Sequence, residues 1–315
     1  MKTSKMKICF SIFFSLLYFN AKTQSPDIDS IITKESLQNS ISVLADDSMR
    51  GRFTAMPETK KAAEFIANQF KKTGLKPIAG NDGFFSYYPL EFHFNDEPIL
   101  IQAINVMGVV MGKGRPDSLV IFCAHYDHIG VKKNIQKNDK DSIYNGANDN
   151  ASGTALLIEL AKYYSAIKMN RYTLVFIAFS GEELGLLGSA YVAADIDQSL
   201  IRTVINFDMV GRSINSYTKK CMVIAETPKP LLKKLNQQLD RHEDFFINDM
   251  FPYDNLFARS DHYSFSKVKT TILLTTSSPG DLYYHTLEDE IKTIDFDFLL
   301  STAKNIALGC KIFLN

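Results

Sequence analysis

Residues 172–179 read Tyr-Thr-Leu-Val-Phe-Ile-Ala-Phe. An apolar, β-rich run this short, with no polar alternation, reads as a strand covered on both faces. Such a strand belongs in the interior of an α/β sheet. The next residues are Ser180-Gly181-Glu182-Glu183-Leu184-Gly185-Leu186-Leu187-Gly188-Ser189, glycine-spaced at first and then compatible with a helix. Two adjacent carboxylates therefore stand where a central strand ends and a helix begins. In an open α/β sheet, ligands bind along that edge. Adjacent acids repel and buried acids are expensive, so the pair requires a cation or a proton. Glutamates at a solvated helix N-terminus, favoured by the helix dipole, are the alternative reading.

The rest of the chain supplies the context. Helical spacing over residues 35–44 and 59–72 places Ala62, Phe65, Ile66 and Phe70 on one face of the second helix, and Gly74 ends it. Residues 46–52 between them form a polar turn. Strands are expected at 84–94, 99–110, 119–124, 172–179, 203–210, 221–225 and 270–275. Helices are expected from about 145 to 164, after Glu183, and over 230–242 and 296–310. From residue 119 onward strands alternate with helices, which predicts an α/β three-layer sandwich, a mostly parallel mixed sheet with helices on both faces. With no internal repeat and no linker, residues 25–315 read as one domain, in which 25–80 form an N-terminal helical cover.

Lys2, Lys5 and Lys7 precede an apolar run over residues 8–19, and Ala21 and Thr23 offer small-residue positions beyond it. This is the pattern of a signal peptide over residues 1–24, so the expected location is periplasmic or extracellular, with no membrane attachment after cleavage. The chain carries 35 basic and 35 acidic residues. Cleavage after Thr23 removes Lys2, Lys5, Lys7 and Lys22 and no acid, leaving a net charge of about −4, which argues against nucleic acid as a partner. Outside the signal, Cys123, Cys221 and Cys310 are too widely spaced for a disulfide framework or a zinc knuckle. Cys123 reads as a small core residue.

His125, Asp149, the Glu182/Glu183 pair, Asp208 and His285 each fall just after an expected strand or in the loop beyond it. Singly they are weak signals; an aspartate before a helix serves equally well as an N-cap. Their joint placement at one sheet edge, with nitrogen and oxygen donors and no thiol, suits zinc, and several carboxylates in one site suit two metals sharing a bridge. A serine hydrolase at Ser180 is disfavoured because the Gly-x-Ser-x-Gly elbow is absent. Phosphate chemistry lacks a glycine-rich loop with lysine, and the His125/His128 pair lacks the helix and central glutamate of a zincin.

The segments Ala124-His125-Tyr126-Asp127-His128, residues 145–153, residues 180–189, Asn206-Phe207-Asp208-Met209, Ser260-Asp261-His262 and Tyr284-His285-Thr286 resemble, in order, the motif set of a zinc exopeptidase clan. It is the clan (peptidase clan MH) of secreted bacterial leucyl aminopeptidases, aminopeptidase Y, glutamate carboxypeptidase and glutaminyl cyclase. The turn at 44–52 and the helix after it also resemble the N-terminal segment of the bacterial members. The resemblance implies two zinc ions: one on His125 and Asp208, the other on Glu183 and His285, with Asp149 bridging. It implies Glu182 as general base and a cis peptide at Asp149-Asn150. Asp127 would orient His125, the usual need of a ligating imidazole. Asp261 and His262 would support the ligands from behind. Where Asn148 stands, the clan usually has an acid, which implies tuning rather than loss.

His128 is expected near the rim, His93 and His242 at the surface, and Met209, Tyr283 and Tyr284 as candidates for a pocket lining. The function implied is an exported dizinc aminopeptidase acting on a peptide or amino-acid conjugate. The alternatives are a glutaminyl-peptide cyclotransferase on the same fold and a non-catalytic binding module, the latter disfavoured because every ligand position is filled.

Overall fold

The computed structural model describes residues 26–94, 97–133, 141–214, 218–240, 243–278 and 280–315. The signal-peptide segment and His242 lie outside these residues, as does the side chain of His93. The helices are α1 (Ile28–Ile31), α2 (Lys34–Leu44), α3 (Pro57–Lys72), α4 (Gly153–Ile167), α5 (Leu187–Asp195), α6 (Pro228–Asn236) and α7 (Phe296–Gly309). The strands are β1 (Phe85–Phe94), β2 (Glu97–Val110), β3 (Arg115–His125), β4 (Tyr172–Phe179), β5 (Ile201–Phe207), β6 (Cys221–Ile224), β7 (Phe246–Asn248) and β8 (Thr271–Thr275). They form one mixed sheet in the order β1-β2-β4-β3-β5-β8-β6-β7. β4, β3, β5 and β8 run parallel at its centre. β1 and β2 join antiparallel on one side, and β6 pairs antiparallel with β8 on the other.

Alternation along the central strands divides their side chains between two cores. Val120, Phe122, Leu174, Phe176, Ile205 and Phe207 face the larger one, shared with α2, α3, α4 and α7. Ile121, Cys123, Val175, Ile177, Phe179 and Val204 face the smaller, closed by α5 and the 3-10 segment Asp261–Phe265. This two-sided burial is why β4 reads as a continuous apolar run. At the centre, Phe122 stacks on Phe176 and Phe207 with ring centroids 5.4 and 6.3 Å apart. Truncating such a ring to alanine costs about 3–5 kcal/mol.

Two expectations need correction, and one strand lies outside the expected set. The helix after the glutamate pair begins only at Leu187, so Glu182 and Glu183 lie in a turn rather than at a helix N-terminus. The helix expected over 230–242 is α6, and it ends at Asn236. Its following segment returns to the sheet as β7, three residues too short to register as periodicity.

The parallel block sets the geometry of the sheet's carboxyl edge. His125 pairs with Phe179, Cys123 with Asn206, and Phe207 with Leu274. The carboxyl ends of four neighbouring strands are thus level, and the loops leaving them converge.

Candidate metal centre

β3 ends at His125, which is buried. Its Nδ1 lies 3.2 Å from the Asp127 carbonyl oxygen and 3.7 Å from Asp127 Oδ1. Its Nε2 faces outward, 3.3 Å from Asp149 Oδ1 and 3.5 Å from Asp208 Oδ1. Asp149 sits in a wide turn, Ala147–Ser152, ahead of α4, and the Asp149-Asn150 peptide is cis, as the clan resemblance implies. Gly146 opens the turn at φ 57°, where a Cβ would lie 2.3 Å from the Asp149 carbonyl oxygen and 2.6 Å from the His128 ring; only glycine fits. Asp289 accepts the backbone N–H groups of Asn148 and Asp149 at 3.0 Å. The Asn150 amide ties the turn to β5 by donating to the Phe207 carbonyl at 2.8 Å and accepting from Met209 N–H at 3.2 Å.

Asp208 follows β5 directly. Its Oδ2 accepts from the Ser260 hydroxyl at 2.7 Å, and Asn206 in turn donates to Ser260 Oγ at 2.7 Å. On the other side, Glu183 Oε1 accepts from His128 Nδ1 at 2.9 Å, and Glu183 Oε2 lies 3.1 Å from His285 Nε2. That same imidazole nitrogen is 3.2 Å from Asp149 Oδ2. His285 takes a positive φ of 54° and stacks on Tyr284 with centroids 3.9 Å apart. Arg212 anchors the loop that carries it, donating to Asp281 at 2.7 Å and Asp289 at 2.9 Å.

Two sets of donor atoms result, each gathered within 4.8 Å: His125, Asp149 and Asp208, and His128, Asp149, Glu183 and His285. Asp149 belongs to both. His128 Nε2, Asp149 Oδ2, Asp208 Oδ1 and His285 Nε2 are buried with no hydrogen-bond partner. Orphaned acceptors crowded against imidazole nitrogens are what a cation site of N and O donors looks like.

The electrostatics agree. Burial opposes a charged His125 imidazole, but the charges of Glu182 and Asp208 prevail and hold its pKa well above the usual value. Burial likewise opposes charge on His285, yet the Asp149 and Glu183 carboxylates against its Nε2 lift it to about 10. Burial works against an ionised Asp149, and the imidazoles of His125 and His285 outweigh it and bring its pKa well down. Glu183 is also lowered: burial and the Asp149 charge are overcome by its hydrogen bond from His128 and the nearby His285 imidazole. Glu182 behaves oppositely. Burial raises it well above the carboxylate range, with His125 opposing. The site draws in positive charge, and the imidazoles supply it.

All the sequence-expected residues meet at this edge, with some changes of place. His128, expected at the rim, is fully buried and bonded to Glu183. Of the Ser260-Asp261-His262 segment it is Ser260 that touches Asp208. Asp261 and His262 are fully buried beside it, and their side-chain oxygens and nitrogens have no hydrogen-bond partner. Burial pushes Asp261 up to about 7 and His262 down to about 3. Met209 and Tyr284 line the cavity with Leu256, Arg259, Leu273 and Ser278, whereas Tyr283 packs under Arg212. Ser180 is wholly buried, its hydroxyl 3.1 Å from the Tyr88 hydroxyl, as suits a structural serine. Sequence spacing alone missed Ser260 and the salt-bridge anchor on Arg212.

Solved zinc aminopeptidase structures share this fold. The solved structure of BSAP, a zinc aminopeptidase from Bacillus subtilis, superposes with a TM-score of 0.67 over 93% of this chain and 96% of that one, at 16% identity. The sequence model of peptidase family M28 matches residues 105–309. The chain belongs to that family. Aminopeptidase YwaD of Bacillus subtilis (strain 168) is 28% identical over 203 residues, 60% of this chain and 40% of that protein. A probable zinc metalloprotease of Leptosphaeria maculans is 35% identical over 118 residues, 37% of this chain and 26% of that protein. The matches thus span about a quarter to two-fifths of the length of these curated relatives.

Proposed function

We propose that the chain is an exported dizinc aminopeptidase that removes N-terminal residues from peptides. The observation that carries this reading is the shared position of Asp149 between two sets of orphaned donor atoms. His125 and Asp208 would hold one ion, Glu183 and His285 the other, and Asp149 both. These ligands would bind a metal in their deprotonated forms. Zinc bound there would supply Lewis acidity, polarising the scissile carbonyl and acidifying a water.

The chain's own residues do the remainder. The Asp127 backbone carbonyl holds the His125 ring by its Nδ1 side, with the carboxylate 3.7 Å from that nitrogen, and leaves Nε2 to the site. Ser260 occupies one oxygen of Asp208 and leaves the other free. His128 does the same for Glu183 Oε1. Glu182 lines the same cavity and makes no ion pair with the imidazoles among the described residues, so its carboxylate remains available as general base, taking a proton from water and passing it to the leaving amine. Metal charge would offset the burial that raises its pKa and keep it ionised near neutral pH.

Export is inferred from the basic start and apolar run at the N-terminus. Among the described residues, no helix is long and apolar enough to cross a membrane. The test is a panel of free and N-blocked peptides offered to zinc-replete and chelator-treated protein. Release of the first residue from free peptides only, lost on chelation and restored by zinc, is the expected result. Cyclisation of N-terminal glutamine without hydrolysis would make the chain a cyclotransferase instead. Full activity in verified metal-free protein would end the reading.

A further inference from the structure

Residues 44–54 lie outside the family match at 105–309, yet they reach the base of the metal centre. The chain enters through a tight turn. Gly51 has φ 67°, and a Cβ on it would lie 2.3 Å from the Gly130 carbonyl oxygen and 2.6 Å from that of Tyr144. Arg52 then buries its whole side chain, with its pKa lowered only to about 10, so it stays cationic at neutral pH. It donates to the carbonyls of Tyr126 at 2.7 Å, Asn145 at 2.6 Å and Gly146 at 3.0 Å. Those carbonyls flank Asp127 and the Asp149 turn. The guanidinium thereby locks the backbone on which Thr54 sits.

Thr54 is 5% exposed, and its hydroxyl makes two bonds. It donates to Asp127 Oδ2 at 2.9 Å and accepts the Gly181 N–H at 2.9 Å. The direction follows from the Gly181 N–H, which can only donate and so leaves the hydroxyl hydrogen for the Asp127 oxygen. Asp127 Oδ1 accepts the Glu182 N–H at 3.3 Å and stands 3.7 Å from His125 Nδ1. One hydroxyl thus couples the loop leaving β3, which carries the carboxylate behind His125, to the loop leaving β4, which carries Glu182 and Glu183.

We propose that Thr54 is a positioning residue for the metal centre, acting through Asp127 and the Gly181 amide. This inference rests on the metallopeptidase reading. Thr54→Val keeps the shape and strands both partners in the interior, whereas Thr54→Ser keeps the hydroxyl. Groups that orient metal ligands typically contribute ~10- to 100-fold in metal affinity or activity.

The experiment titrates zinc alone into stripped protein, with melting temperature monitored in parallel, for wild type, Thr54→Val, Thr54→Ser, Asp127→Asn and the Thr54→Val/Asp127→Asn double variant. Thr54→Val should bind zinc about tenfold more weakly, at the low end of that range. Thr54→Ser should stay within about twofold of wild type, well inside that margin. In the Asp127→Asn background, Thr54→Val should add less than its own single effect, because coupled groups are not additive. On peptides, the loss should fall on kcat with KM unchanged. Wild-type zinc affinity in Thr54→Val, equal weakening in Thr54→Ser, or fully additive losses would each overturn the proposal. Thr54→Ala carries the same outcomes if Thr54→Val does not fold. A wild type that binds no zinc would instead sink the functional reading. A wild type that binds zinc without cleaving peptides would refute the aminopeptidase activity and leave Thr54 in its role.

Discussion

The two halves of the metal centre are built differently. His125, Asp149 and Asp208 come from or beside the ends of β3 and β5, and their side chains are only 1%, 4% and 14% exposed. In the other half, His285 is 33% exposed and sits on a loop ten residues past the end of β8. The sheet ladder holds His125 and Asp208 of the first half, while Asp149 rides on a turn held by Asn150 and Asp289. The second depends on a polar anchor, in which Arg212 binds Asp281 and Asp289 while Asp289 holds the Asn148 and Asp149 amides. A site assembled from one rigid and one tethered half should lose its ions unequally, with the His285 side going first.

The largest expected effect separates the neighbouring glutamates. Glu182→Gln should keep both zinc ions while turnover falls by roughly 100-fold or more, the usual range for losing a general base. Glu183→Gln should bind one ion more weakly, so excess zinc should partly restore its rate. Zinc titration with rates measured in parallel decides it. Rescue of Glu182→Gln and not Glu183→Gln would reverse the roles along this turn.

Next in size is Asp127→Asn, which perturbs the rigid half. Zinc affinity or turnover should fall by ~10- to 100-fold. If the halves are independent, metal counting will show the His285-side ion retained. Loss of both ions together would break the comparison and mean that Asp149 couples the halves fully.

Arg212→Lys strikes the tethered half. Lysine keeps the charge but not the fork that serves Asp281 and Asp289 together. Loss of a charge-assisted hydrogen bond from this nearly buried group costs about 1.5–3 kcal/mol. A lower melting temperature with weaker binding of one zinc is expected. An unchanged second zinc constant would show that the loop needs no anchor.

The smallest effect belongs to Asn148→Asp. The Asn148 amide donates to Asp281 at 2.6 Å and to Ser277 Oγ at 2.8 Å, while its oxygen accepts from Gly211 N–H at 2.8 Å. This explains why an amide stands where the wider clan has an acid. A carboxylate here would face Asp281 directly. The expected loss of stability is about 1–3 kcal/mol, the penalty for a buried unpaired polar group, with zinc stoichiometry intact. A variant as stable as wild type, measured by denaturant unfolding, would mean that Arg212 neutralises both acids.

Much of this is legible in the sequence. β4 announced itself because burial on both faces removes polar alternation, and the four parallel strands were implied by strands alternating with helices. The residues His125, Asp149, Glu182, Glu183, Asp208 and His285 were legible because each lies just past a strand or in the loop beyond one, and parallel strands in register bring such positions to one edge. β7 was not legible, since three residues carry no period.

Local chemistry along the chain therefore sufficed for the strands, the edge and the donor set. Contacts between residues far apart in sequence decided the rest. His128 lies three residues from His125, a spacing compatible with rim or interior, and its burial depends on Glu183, 55 positions away. Arg52 reads as the end of a polar turn, and Thr54, two residues on, carries no signal of its own. They become the underside of the metal centre because the carbonyls at 126, 145 and 146, the Asp127 carboxylate and the Gly181 amide converge on them. Periodicity reports which face of an element is apolar. It carries no information about which buried polar group will meet which, because that pairing is made only when the loops close over the sheet edge.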